Sequence, residues 1–260
     1  MQSCIECGGR GWGERRRLND CRDITPMTDP RHEFSEWLHT ELVTEFAHES
    51  ESWATERVQR VMAHLNDFRP GMPPLECVIL WVPPPVAFTL AGTYVYMSRT
   101  LLQRLASDDS VAFVLAHEAA HHDLGHLDLF AGWTSLLPQS NATVYVAMLA
   151  RLLEHKRYGP QRENDADDFA LRLCHRAGYN AERSAHALAT LENLALDAGD
   201  VAGVYGPENL LDPTDPRRDS VAFHVQEWLW THLHGYHPLH ERVARARELA
   251  HALGSGTVAA

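Results

Sequence analysis

The sequence predicts an α+β fold, mainly α-helical, with a small β-sheet edge preceding one central helix. Three observations carry this. Apolar residues recur at helical spacing through most of the chain after residue 30, in segments bounded by capping residues, glycine or proline. β-prone residues are confined to one short region, 75–97, punctuated by Pro83-Pro84-Pro85. The helix that follows carries His117-Glu118-Ala119-Ala120-His121, an H-E-x-x-H pattern.

At 260 residues the chain can build one sizeable core with a small appendage. A formal net charge of −12, with no basic stripe to offset it, excludes a nucleic-acid binder. No positive region followed by an apolar one opens the sequence, and no apolar run is long enough to span a bilayer, so a cytoplasmic protein is expected. The most apolar stretches, 127–138 and 142–153, are interrupted by Asp128, Pro138 and Arg151. They read as two buried or groove-lining helices, with peripheral membrane contact as the alternative. Five cysteines without a secretory signal point to a reducing compartment rather than a disulfide framework.

Residues 1–29 lack hydrophobic periodicity and form a Cys/Gly-rich tail. Cys4-Ile5-Glu6-Cys7-Gly8-Gly9-Arg10-Gly11 has the form of a zinc knuckle, in which glycines let backbone amides turn towards two thiolates. Cys21 is a candidate third ligand of this second, structural zinc, but a fourth at standard spacing is missing, and a flexible tail is the simpler reading. Cys77 and Cys174 lie in apolar surroundings and read as core. Residues 30–253 form the main domain, and 254–260 a flexible tail.

Asp29 caps and Pro30 opens a helical region reaching Leu65, with Phe34, Trp37, Leu38, Leu42 and Phe46 as one stripe and Val58, Val61, Met62 and Leu65 as another. Residues 75–82 form a strand, and 86–97 a pair of strands turning near Gly92. The neighbouring prolines suit a sheet edge, which could bind an extended peptide through main-chain hydrogen bonds; an ordinary hairpin fits the spacing equally well. Thr100–Leu105 is a short helix.

Ser107 with Asp108 and Asp109 then starts an amphipathic helix. At about 100° per residue, His117 and His121 project from one face, one turn apart, as two ligands of a single zinc ion need. Glu118 is rotated from His117 by about 100° and can border the metal as a general base without ligating it. Further on, Arg162–Ala177 reads as a separate helix ended by Gly178. Its Glu163 and Asp167, four apart on one face, suit a zinc ligand and a carboxylate that accepts a ligand histidine's free ring N–H. They equally suit the solvated acidic start of a helix. A helix near 181–197, an irregular stretch 199–218 that could form a lid, a helix 221–233 and a closing helix from His237-Pro238 complete the chain.

Three blocks in order resemble the metallopeptidase family containing HtpX, the CAAX prenyl proteases and the Oma-type and BepA-type proteases. These are His117-Glu118-x-x-His121, Glu163-x-x-Ala166-Asp167, and His237-Pro238 followed by Glu241-Arg242. Ala87-Phe88 with Gly92 and Tyr94-Val95-Tyr96 resembles the family's substrate-flanking strands, and Arg162–Tyr179 is closest to the Oma and BepA branch. The resemblance covers about residues 50–250 and implies a zincin-type fold and a gluzincin site. It implies His117, His121 and Glu163 as ligands of one catalytic zinc, Glu118 as general base and Asp167 as partner of a ligand histidine. It further implies His237 near the metal, as oxyanion stabiliser or switchable ligand. The transmembrane helices and helical-repeat tail of particular branches are absent, so membrane-embedded or prenylated substrates are not carried over. The expected function is a zinc-dependent metalloendopeptidase acting on protein or peptide substrates; the alternative is a zinc-binding chaperone-like or adaptor protein with a gated or silent site. His122, His126, His232, His234 and His240 are expected to pack, support or sit at the surface.

Overall fold

A computed structural model describes residues 30–46, 52–82, 85–89, 93–127, 141–205 and 239–258. The elements run α1 (Pro30–Phe46), α2 (Ser52–Asn66), β1 (Glu76–Leu80), β2 (Ala87–Thr89), β3 (Tyr94–Ser98), α3 (Arg99–Arg104) and α4 (Asp108–Asp123). They continue with α5 (Asn141–Arg176), α6 (Ala181–Tyr205) and α7 (Leu239–Gly254). The α+β, mainly helical character is as the sequence predicts.

The three strands lie in the order β1-β3-β2, with β1 parallel and β2 antiparallel to β3. Both strands that flank the proline run are therefore edges, where a residue without an N–H costs no ladder bond. The pleat gives the sheet two distinct faces. Cys77, Ile79, Val95 and Met97 enter the main core, whereas Tyr94 and Tyr96 turn to α1, where His39 stacks on Tyr94 with ring centres 3.8 Å apart. Burial raises the Cys174 thiol to about 12 and drives the Cys77 thiol higher still, so both are inert core residues.

Helix α4 runs through the middle of the core, packed by α2, α5, α6 and the sheet. The expected amphipathic stripe is not what forms: every residue from Ser110 to His121 is buried. Ala112, Ala116, Ala119 and Ala120 make this workable, because a helix surface of methyl groups lets neighbours close in on all sides.

Both ends of α4 are pinned. At the start, the Ser107 hydroxyl accepts from the Ser110 amide, and Arg57 and Arg60 hold Asp108 at 2.8 and 2.7 Å. At the end, Asp123 sits where the helix dipole disfavours a negative charge. Arg69 answers it with a two-pronged buried ion pair at 2.6 and 2.8 Å. Removing one member of such a pair strands the other charge, at a cost of about 3–5 kcal/mol. Arg69→Ala is accordingly expected to lose that much stability in urea unfolding, and a loss below about 1 kcal/mol would show the pair to be dispensable.

The two helices expected at 142–153 and 162–177 are one helix of 36 residues that continues through Pro160. Proline removes one ladder hydrogen bond and crowds the preceding turn, so a break there is the natural reading of the sequence. Helix α6 likewise extends to Tyr205, into the stretch expected to be irregular. Among the described residues no helix is long and apolar enough to cross a membrane.

Candidate metal centre

Three helices bring the site together. Helix α4 supplies His117, Glu118 and His121, α5 supplies Glu163 and Asp167, and α7 supplies Arg242. The Nε2 atoms of His117 and His121 lie 3.3 Å apart. Glu163 places Oε2 at 3.3 Å from His117 Nε2 and Oε1 at 3.6 Å from His121 Nε2. Donors around a tetrahedral zinc with bonds of about 2.0–2.1 Å are separated by roughly 3.3–3.4 Å, so these spacings fit a shared ion.

The hydrogen bonding on the far side of each ring fits too. His117 Nδ1 lies 2.9 Å from Asp167 Oδ1 and donates to it, which leaves Nε2 with a lone pair facing the site. His121 Nδ1 lies 3.0 Å from His126 Nδ1. Donation from His121 to His126 leaves the second Nε2 lone pair facing the same point. Two lone pairs and a carboxylate converging in a buried space repel one another unless a cation sits between them. Glu163 Oε2, moreover, is buried with no hydrogen bond of full geometry, only His117 Nε2 at 3.3 Å and Arg242 Nη1 at 3.1 Å beside it. The donor set therefore suits a metal ion.

The position of His126 follows from how α4 ends. Gly125 has φ +68°, its amide donates to the His122 carbonyl, and the His126 amide donates to the His121 carbonyl. This is the Schellman arrangement, which brings the residue after the glycine back onto the residue five positions earlier. An apolar contact usually fills that place; here a histidine pair does. Arg162 donates to the His126 carbonyl at 3.1 Å, tying the turn to α5 beside Glu163.

In the metal-free protein, burial works against charging His117, but hydrogen bonds and charges from Asp167 and Glu163 outweigh it and raise its pKa to about 10. Burial also opposes ionising the two carboxylates, and Arg242 and His117 more than offset it, holding both below the ordinary range. The raised histidine stabilises the metal-free fold fully below its unfolded pKa of about 6.5, and that contribution is lost as pH rises towards 10. The lowered carboxylates contribute above their ordinary range and lose that contribution as pH falls. Metal entry must displace the His117 proton. Metal binding at pH 8 is therefore expected to release about one proton, measured as the dependence of calorimetric heats on buffer ionisation enthalpy. Heats that do not change with the buffer would contradict this.

Glu118 is buried on α4 beside His117, and its charge is felt at Cys77 on β1. The strand edge reaches the site through Thr89, whose hydroxyl is hydrogen-bonded to His122 Nε2. Val86 and Ser98 are bonded across the ladder, so the main-chain groups of Ala87 and Thr89 turn, by alternation, to the outer edge. The Phe88 ring instead faces away from α4 and stacks on Tyr96. The main-chain groups of Phe88, by the same alternation, face inward to Tyr96, so the edge groups open to a substrate strand are those of Ala87 and Thr89. His240 is exposed at the start of α7. His237, His232, His234 and the cysteines Cys4, Cys7 and Cys21 lie outside the described residues.

One contributor escapes a reading of the sequence alone, and another, His126, is expected there only to pack or support. Arg242 is visible there only as part of Glu241-Arg242, with no role attached to it. Its fork holds Asp167 at 2.7 and 2.8 Å, and its Nη1 lies 3.1 Å from Glu163 Oε2. For His126 a signal exists: it follows Leu124-Gly125, a helix stop that predicts contact with the preceding turn.

Comparison with known families gives a match between residues 50–250 and the model of peptidase family M48. No curated protein sequence matches the chain.

Proposed function

The chain belongs to peptidase family M48, and from that premise we propose that it is a zinc-dependent metalloendopeptidase acting on protein or peptide substrates. The observation that carries this is the convergence of His117, His121 and Glu163 within 4.8 Å of one another, with the two histidines on the helix that also bears Glu118. Three protein donors leave one position for a water or substrate, which distinguishes a catalytic from a structural zinc site. When bound, zinc would supply Lewis acidity that polarises a scissile carbonyl and acidifies water.

The chain's own residues divide the remaining work. Asp167 and His126 fix the ring orientations of His117 and His121, so that both Nε2 lone pairs serve the metal. Glu118 takes the proton of the attacking water and passes it to the leaving amine. The outer edge of β2, at Ala87 and Thr89, lies beside α4 and can align an extended substrate by main-chain pairing. His237, carried over from the family resemblance, would stabilise the developing oxyanion.

The test is degradation of an unfolded casein by the purified protein, with metal content measured on the same sample. Activity should disappear with a strong zinc chelator and return on adding zinc. A protein that holds zinc and leaves casein intact under all these conditions would favour the adaptor reading instead.

A further inference from the structure

We infer that Arg242 is a positioning residue of the metal site, aligning the ligand Glu163 and the His117 partner Asp167 with one guanidinium. This rests on the metal reading above and goes beyond it, since Arg242 is not itself a donor to any metal.

Asp167 Oδ1 is shared. It accepts from His117 Nδ1 at 2.9 Å and from Arg242 Nη2 at 2.8 Å, while Arg242 Nε holds Oδ2 at 2.7 Å. The plane of the Asp167 carboxylate, and with it the direction in which His117 is held, is thus set by the guanidinium. The remaining nitrogen, Nη1, faces Glu163 Oε2 at 3.1 Å, the oxygen that also faces His117. One rigid planar group therefore relates the third ligand to the partner of the first, a geometry that a lysine ammonium cannot reproduce.

Local helix preference does not account for a cation at this position. Helix α7 starts at Leu239, so Arg242 lies in its opening turn, where the dipole disfavours positive charge. It is also buried, and its fork is spent on the two carboxylates of the site. Simple docking of α7 on α5 does not account for it either. One turn further along, Arg245 pairs with Asp168 at 2.5 and 3.1 Å. That pair joins the same two helices in a more exposed place and touches no ligand. The fold thus provides its own control.

The experiment uses the full chain carrying Arg242→Gln, Arg242→Lys or Arg245→Ala. Zinc affinity is read by competition with a chromophoric chelator, and ligand geometry by the visible spectrum of the Co2+-substituted protein. Losing a partner beyond the ligands typically costs 10–100-fold in metal affinity. Arg242→Gln is expected to lose about that much and to change the Co2+ spectrum. Arg242→Lys should recover only part of the affinity, because one ammonium cannot hold both carboxylates in the same plane. Arg245→Ala should keep the parental affinity and spectrum even if its melting temperature falls.

Parental affinity and spectrum in both Arg242 variants would overturn the inference, and so would an equal loss in Arg245→Ala. If Arg242→Gln does not fold, Arg242→Lys against Arg245→Ala decides by the same criteria. A parent protein that binds no zinc at all would instead overturn the metal reading beneath it.

Discussion

Glu118→Gln is expected to retain zinc at the parental stoichiometry and to lose casein hydrolysis by a factor of about 10²–10⁴, the range for removing a positioned general base. The substitution keeps the shape of the side chain and removes its capacity to take a proton. His117, His121 and Glu163 keep the partners that orient them, Asp167, His126 and Arg242. Two results would count against the assignment: unchanged turnover, or loss of zinc together with turnover. The second would make Glu118 a ligand rather than a base. Steady-state degradation and elemental analysis of the same preparation separate these outcomes.

Glu163→Ala addresses the other half of the site. It removes one of three donors and leaves Arg242 Nη1 facing the metal position with no carboxylate between them. Both changes oppose a cation. Losses of 10–100-fold follow from disturbing groups that merely support ligands, so loss of a direct ligand is expected to exceed about 100-fold in zinc affinity. Hydrolysis should fall with occupancy and recover in part at high zinc. Chelator competition gives the affinity. Equal zinc in variant and parent after dialysis would remove Glu163 from the ligand set.

How much of this was legible beforehand depended on distance along the chain. The pairing of His117 and His121 on one face of a helix, with Glu118 beside them, follows from spacing alone, because four residues make about one helical turn wherever the helix lies. Glu163 and Asp167 fit equally well a ligand with a carboxylate that supports a ligand histidine, and an acidic helix start. That ambiguity turned on Pro160, which invites a helix to begin near Arg162. Helix α5 instead begins at Asn141, so neither acid is at an N-terminus, and at 6 and 3 % exposure neither is solvated. The burial of α4 on every side was not legible either. Its alanines mark a surface that others can approach, but which elements approach it is a tertiary matter. Arg242 lies 75 residues from its closest partner, and no local pattern connects them.

The pinned and buried α4 has a consequence for how the molecule opens. Amide protons in a helix enclosed over Ser110 to His121 exchange with solvent only when the whole domain opens. The two histidines are therefore as durable as the fold itself. Glu163 shares that durability, because α5 packs directly on α4 with Ala166, Ala170 and Leu171 fully buried. On heating, His117, His121 and Glu163 should therefore be lost together, in the same transition that unfolds the domain.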